Sequence, residues 1–144
     1  MSFLNLLWIY IINEKWKQYK LSKTNKEQRR EVMYKKLMTC LESVQKKIDF
    51  KPEVALILGS GLGDFADGIK IEQTIDYTDI EGFPVSTVKG HKGRFVFGYV
   101  EKTPVVIMQG RVHYYEGYPM SDVVLPTRLM GLLGAKKLLL TNAA

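Results

Sequence analysis

An arginine, a histidine and a tyrosine recur at every second position in the segment "QGRVHYYEGYP", residues 109–119: Arg111, His113 and Tyr115. In an extended segment, side chains at this spacing point to the same side. Arginine offers a rigid fork that binds an anion through two hydrogen bonds, histidine donates another, and tyrosine adds an aromatic surface with a hydroxyl. Such a row would suit a phosphate that bears a neighbouring sugar. Arg111 taken alone is better explained as incidental charge on an exposed loop, so the interpretation depends on what accompanies it.

A glycine-rich loop follows an apolar run in "VALILGSGLGDFAD", residues 54–67. The run Val54–Leu58 predicts a buried strand, and the three glycines behind it allow a ligand to approach the backbone, where successive N–H groups form a nest for an anion. Gly63 comes one residue too early for the dinucleotide-binding fingerprint, and no lysine follows as the Walker loop requires. Two interpretations remain: an anion site, to which Ser60 would add a hydroxyl, or a tight strand-to-helix turn without a ligand.

Composition and charge limit the class of protein. The 144 residues fit one small domain or part of a larger one. The single cysteine, Cys40, excludes an internal disulfide and suggests no metal cluster. Residues 1–50 carry 11 of the 21 basic residues but only 5 of the 15 acidic ones, so the basic excess lies in the first third. This placement argues against a nucleic-acid partner for the core domain.

The first 32 residues are predicted to form a helical extension outside the core. Its apolar stretch, residues 3–12, is shorter than the roughly 20 residues needed to cross a bilayer, and it lacks the features of a secretory signal. The aromatic residues and lysines of residues 1–20 also fit an interfacial helix on a membrane surface, and a foreign origin for the segment is a further alternative.

From Met33 onward an amphipathic helix is predicted, and the domain is expected to span residues 33–144. Its apolar stripe recurs at steps of three and four residues and consists of Tyr34, Leu37, Met38, Leu41, Val44 and Ile48. Cys40 lies beside that stripe and is interpreted as a packed, inert thiol.

Beyond Pro52 the pattern changes to that of a mixed α/β sheet flanked by helices. Strands are predicted at Val54–Leu58, Ile69–Tyr77, "STVKG", "RFVFGYVE", "TPVVIMQG" and Lys137–Thr141. The segment "SDVVLPTRLMGLLGA" predicts one helix, with Ser121 as N-cap, Pro126 in the first turn, and an apolar face of Leu125, Leu129, Leu132 and Leu133. Sites in such sheets lie beyond the carboxyl ends of strands, which is where the glycine loop and the final "TNAA" fall.

Four segments taken together resemble purine nucleoside phosphorylases of the trimeric class: "LILGSGLG", "GHKGRFVFG", "QGRVHYYEGY" and "LLLTNAA". The resemblance covers roughly residues 33–144, about the N-terminal half of such an enzyme. It implies a nucleoside phosphorylase-like fold and the phosphorolysis of purine (deoxy)ribonucleosides to free base and (deoxy)ribose 1-phosphate, a step of purine salvage. It also implies a homotrimer, a cytoplasmic location, and phosphate as co-substrate without a metal or organic cofactor.

The resemblance further assigns roles to individual residues. It implies that Ser60, His91, Arg111, His113 and the backbone N–H of Ala143 bind phosphate. The two histidines are the implied catalytic residues, and Tyr115 is implied to contact the ribose.

Alternatives to this assignment stay open. A sister enzyme that acts on methylthioadenosine shares the glycine loop and an R-x-H pair but lacks the pattern Tyr115–Tyr118. The family's purine-binding residues belong to its C-terminal half, so this sequence does not reveal the base preference. An inactive phosphate-binding fragment is the main alternative to an enzyme, and a protein held at a membrane surface by residues 1–20 is another.

Overall fold

The computed structural model describes residues 3–59, 61–85 and 92–141, with only the backbone of residues 3–13, 16 and 19. The chain forms two compact units, residues 1–35 and residues 36–144. The boundary expected from the sequence, between residues 32 and 33, stays a prediction.

The first unit is helical. Helix α1 extends from Phe3 to Gln45, and no glycine or proline interrupts that stretch. The helical extension expected from the sequence is therefore confirmed. All side chains from Lys20 to Val32 are exposed. No helix within the described residues is long and apolar enough to cross a bilayer.

In the second unit, the last turns of α1 bury an apolar stripe. Leu37, Leu41, Val44 and Ile48 lie in the core as expected, together with Met38, which is partly buried. Tyr34 was wrongly assigned to the stripe, because its side chain is 60% exposed. Cys40 lies within the stripe rather than beside it; its Sγ donates a hydrogen bond to the carbonyl of Glu81 at 3.3 Å. Its burial confirms that Cys40 is packed and raises the pKa of the thiol, while its inertness stays a prediction.

Five strands form one mixed sheet in the order β2-β3-β4-β1-β5. They are β1 (Val54–Ile57), β2 (Lys70–Asp76), β3 (Arg94–Val100), β4 (Thr103–Gln109) and β5 (Lys137–Leu140). β3 pairs antiparallel with both β2 and β4, whereas β1 pairs parallel with both β4 and β5. The predicted mixed sheet is thus confirmed, while the expected strand "STVKG" lies outside the described residues.

The predicted single helix after residue 120 is two short helices, α2 (Met120–Val123) and α3 (Leu125–Leu132). Pro126 lies in the first turn of α3 as expected, and because it has no N–H it cannot continue the hydrogen bonding of α2. Ser121 is not an N-cap, since it lies inside α2, which Pro119 precedes.

The apolar face expected for this segment is partly different in the structure. Leu125 and Leu129 are fully buried, and Leu133 is nearly so. Met130 occupies the buried position expected for Leu132, which is 47% exposed.

The two faces of the sheet are covered unequally. α1, α3 and the aromatic residues of β3 pack on one face and form the large core. The other face carries a small core of Leu56, Ala66, Val96, Val105 and Ile107. Beside it lies an open apolar groove of about 350 Å³, which includes Leu62, Phe65 and Leu139.

Candidate functional site

A cavity of about 220 Å³ opens where the parallel strands β1 and β4 end. Its walls are the glycine loop after β1 and the segment after β4. The lining residues are Leu58, Gly59, Gly61, Gly63, Asp64, Lys92, Gln109, Gly110, Arg111 and His113. Since the carboxyl ends of parallel strands meet at one edge, two segments about fifty residues apart in sequence meet here.

A sharp turn at Gly110 directs the chain away from β4 and into the cavity wall. Gly110 has φ +103°, which favours glycine at this position. Its carbonyl accepts a 2.8 Å hydrogen bond from the hydroxyl of Tyr77, a fully buried side chain. This anchor fixes the backbone immediately before Arg111.

Arg111 and His113 both line the cavity. Within the described part of the chain, no hydrogen bond or ion pair engages the Arg111 guanidinium. A guanidinium carries five N–H donors and a fixed positive charge, which suit it to binding an anion.

Tyr115 does not continue the row of Arg111 and His113, so the expectation of three side chains on one side of an extended segment was wrong. A 3-10 helix at Tyr114–Glu116 interrupts the segment, and the N–H of His113 donates to Glu116 Oε1 at 2.7 Å. Tyr115 is 75% exposed and is not among the cavity-lining residues. Its ring stacks instead on that of His113, with centroids 4.7 Å apart.

The glycine loop is anchored at its start by the end of β5. The N–H of Gly59 donates to Thr141 Oγ1 at 2.9 Å, and the N–H of Thr141 donates to the carbonyl of Ile57 at 3.0 Å. Gly61 has φ +83°, and a side chain added at Gly61 or Gly63 would meet no described atom within 4 Å. The backbone at Gly61 and Gly63 is thus open to the approach of a ligand, while the N–H of Leu62 donates to the carbonyl of Gly59 at 3.2 Å.

Charged residues around the cavity are partly paired with each other. Lys92 Nζ lies 2.5 Å from one carboxylate oxygen of Asp67, and Arg94 Nη2 lies 3.1 Å from the other. The hydrogen bond from Lys92 and the nearby positive charges lower the pKa of Asp67. Asp64 also lines the cavity. Among the residues described, no group of three His, Cys, Asp or Glu side chains is placed to hold a metal ion.

Comparison with known proteins shows the family to which the chain belongs. The model of the phosphorylase superfamily matches residues 53–144. The chain belongs to the phosphorylase superfamily.

Several purine nucleoside phosphorylases are similar to this superfamily member. Purine nucleoside phosphorylase 1 of Geobacillus stearothermophilus is 52% identical over 101 residues, which are 70% of this chain and 37% of that protein. The structure of the Schistosoma mansoni enzyme in complex with acetate matches with a TM-score of 0.70 at 46% identity, covering 76% of this chain and 40% of that one. The same enzyme in complex with inosine matches with a TM-score of 0.69 at 44% identity, covering 76% and 38%. This phosphorylase-superfamily chain thus spans about two fifths of the length of these proteins.

Three of the predicted phosphate-binding residues of this superfamily member, Ser60, His91 and Ala143, lie outside the described residues. Their roles stay predictions, as do those of Arg111, His113 and Tyr115. Sequence reasoning missed Asp64, Lys92 and Gln109. The position of Lys92 next to the predicted His91 could have indicated that Lys92 belongs to the site. No sequence pattern indicated Asp64 or Gln109 as site residues.

Proposed function

We propose that this chain binds inorganic phosphate in the cavity between the glycine loop and Arg111, as the phosphate half of a purine nucleoside phosphorylase site. The observation that carries the proposal is the meeting of Arg111 and His113 with the glycine loop in one cavity. The cavity combines a positive fork, a second side-chain donor and open backbone, which are the groups that bind a phosphate ion.

In the proposed reaction, phosphate attacks the sugar of a purine nucleoside. A phosphate oxygen forms a bond to the anomeric carbon while the bond from that carbon to the purine nitrogen breaks. The purine leaves with the bonding electrons and gains a proton, and (deoxy)ribose 1-phosphate remains. The transition state resembles an oxocarbenium ion, as in glycoside cleavage, so an anion held beside the sugar stabilises it.

Each predicted residue has a part in this proposal. Arg111 binds two phosphate oxygens, and His113 donates to a third; the positions of both in the cavity wall support these roles. The hydroxyl of Ser60, the imidazole of His91 and the N–H of Ala143 complete the phosphate site. Tyr115 contacts the ribose from beyond His113.

The relatives support the nucleoside as the other substrate, since the structure of the Schistosoma mansoni enzyme contains inosine. Phosphate acts as co-substrate, and no metal or organic cofactor enters the proposed reaction. Assembly as a homotrimer and a cytoplasmic location are further proposals that rest on the resemblance to the family.

Isothermal titration of the 144-residue chain with inorganic phosphate tests the proposal. We expect one site per chain, and Arg111→Ala should weaken binding at least tenfold, because a hydrogen bond to a charged group contributes about 1.5–3 kcal/mol. Lys102→Ala is the charge-matched control, because Lys102 lies in the exposed turn before β4, at the opposite end of that strand from the cavity. Wild-type protein that binds no phosphate, or equal losses in both variants, would contradict the proposal. Turnover of inosine by the chain then decides between a phosphorylase and a phosphate-binding fragment.

A further inference from the structure

Gln109 is the only buried residue with an amide or charged side chain in the described part of the chain, with 3% of its surface exposed. Burying an amide is costly unless its polar atoms are hydrogen-bonded. Both ends of this amide are satisfied. Oε1 accepts a hydrogen bond from Arg94 Nε at 2.8 Å, and Nε2 donates to the carbonyl of Gly63 at 2.7 Å.

These two bonds join three separate segments at the cavity. Gln109 is the last residue of β4, two positions before Arg111, and Arg94 is its antiparallel partner on β3. Gly63 lies 46 residues earlier, at the far end of the glycine loop. The amide of Gln109 therefore ties the glycine loop to the strand that leads into Arg111.

The loop is anchored differently at its two ends. Its first residue, Gly59, is bound by Thr141 at the end of β5. Gly63 is bound by Gln109 from β4 on the other side of β1. Loss of the Gln109 bond would remove the side-chain anchor of Gly63 itself, while Asp67, four residues further on, stayed paired with Lys92 and Arg94.

We propose that Gln109 is a positioning residue of the phosphate site: its amide holds the glycine loop at a fixed separation from the Arg111 segment. This inference rests on the proposed function, since the separation matters for an anion that both walls bind. Oε1 accepts from Arg94, Nε2 donates to Gly63, and the amide is also hydrogen-bonded to Asp67, so Gln109 acts through the loop rather than on the anion. A loop that must be ordered at the moment of binding lowers affinity, whereas a preorganised one does not.

Three variants of the 144-residue chain separate this role from general stability. Gln109→Met removes both hydrogen bonds and keeps an unbranched side chain of similar length. Gln109→Asn keeps an amide but shortens it, so the contact with Gly63 is lost. Arg94→Lys is the matched control, because it removes the Nε donor to Gln109, keeps the positive charge beside Asp67, and leaves the bond from Gln109 to Gly63 intact.

Two measurements are made on each variant, with urea denaturation to record its stability. The first is 15N relaxation of the amides of residues 61–64 in phosphate-free buffer. We expect order parameters near the rigid value of about 0.85 in wild type and Arg94→Lys, and below about 0.6 in both Gln109 variants. The second is the dissociation constant for inorganic phosphate, which we expect to rise about tenfold in the Gln109 variants, as loss of one ordering contact of roughly 1.4 kcal/mol implies.

The outcomes distinguish this inference from the proposed function. A loop that stays rigid in the Gln109 variants, or one that loosens equally in Arg94→Lys, overturns the positioning role. If wild type binds phosphate and the Gln109 variants bind it equally well, the positioning role fails while the proposed function stands. If wild type binds no phosphate, the proposed function fails with whatever rests on it. If Gln109→Met does not fold, the same two measurements on Gln109→Asn and Arg94→Lys test the positioning role.

Discussion

The imidazole ring of His113 and the phenol ring of Tyr115 are stacked, with centroids 4.7 Å apart and planes 14° apart. The 3-10 helix that begins at Tyr114 produces this contact, since in an extended segment the two rings would stand side by side. His113 lines the cavity and Tyr115 does not. Tyr115 therefore supports a cavity-lining ring from outside the cavity.

Removal of the Tyr115 ring should weaken phosphate binding. We expect Tyr115→Ala to lower affinity roughly two- to tenfold, because a stacked aromatic pair contributes about 0.5–1.5 kcal/mol to holding His113 in place. Tyr115→Phe should bind phosphate as wild type does, since it keeps the stack. Tyr114→Ala is the control, because Tyr114 is an exposed neighbour in the same turn. Titration with phosphate decides, and an equal loss in Tyr115→Phe would show that the hydroxyl acts rather than the stack.

The buried hydroxyl of Tyr77 should make stability depend on alkaline pH. Burial raises the pKa of Tyr77 far above that of an unfolded tyrosine, about 10. Above that pH the unfolded chain loses the proton and the folded chain keeps it, so the free energy of unfolding falls as pH rises. Tyr77→Phe should cost about 1 kcal/mol at pH 7, through the lost bond to Gly110, and the difference from wild type should shrink above pH 10.

Urea denaturation of both proteins between pH 7 and 11 measures this effect. A stability difference that stays constant over that range would show that Tyr77 ionises as readily in the folded chain as in the unfolded one. Such a result would contradict the burial of the Tyr77 hydroxyl, which donates the hydrogen bond to Gly110.

The sequence predicted the strands of the sheet because they depend on simple patterns. The apolar run Val105–Met108, rich in β-branched residues, favours a buried strand, and parallel strands bring the segments that follow them to one edge. The resemblance to known phosphorylases implied that Arg111 and His113 bind phosphate; both line the cavity beside the glycine loop, and their role stays a prediction.

What the sequence did not reveal depends on local or long-range hydrogen bonds. The turn that moves Tyr115 out of line is closed by Glu116, and periodicity alone cannot distinguish such a turn from an extended segment. The role of Gln109 depends on a carbonyl 46 residues away, and an amide at the end of a strand carries no signal of its partner. The break between α2 and α3 was missed because Pro126 was assigned to the first turn of one longer helix.

The carboxylate of Asp64 should oppose phosphate binding. Asp64 lines the cavity, so Asp64→Asn should bind phosphate roughly two- to fivefold more tightly at low salt, as a Coulomb repulsion of about 1 kcal/mol or less implies. The gain should largely disappear at 1 M salt, where the Debye length is about 3 Å. Glu101→Gln is the control, since Glu101 lies in the turn before β4, away from the cavity. Identical affinities for wild type and Asp64→Asn at low salt would place the carboxylate away from the anion.

The apolar groove beside β5 should make the isolated chain self-associate. Leu139 lines this groove and is 55% exposed on β5, a strand at the edge of the sheet. We expect Leu139→Glu to reduce association in sedimentation velocity, because a charge on this surface must lose its water on contact. Leu132→Glu, at an exposed leucine of α3, should leave association unchanged. Equal effects of both substitutions would show that association is not centred on the groove.

The position of a phosphate-like anion on the protein tests the proposed phosphate site most directly. Crystals of the 144-residue chain grown in phosphate-free buffer with tungstate would reveal it, because tungsten gives a strong anomalous signal. We predict one main tungsten peak in the cavity, with oxygen atoms within hydrogen-bonding distance of the Arg111 guanidinium and the backbone of the glycine loop. We predict no such peak in crystals of Arg111→Ala. A main peak elsewhere on the protein, or the same peak in Arg111→Ala, would contradict the proposed phosphate site.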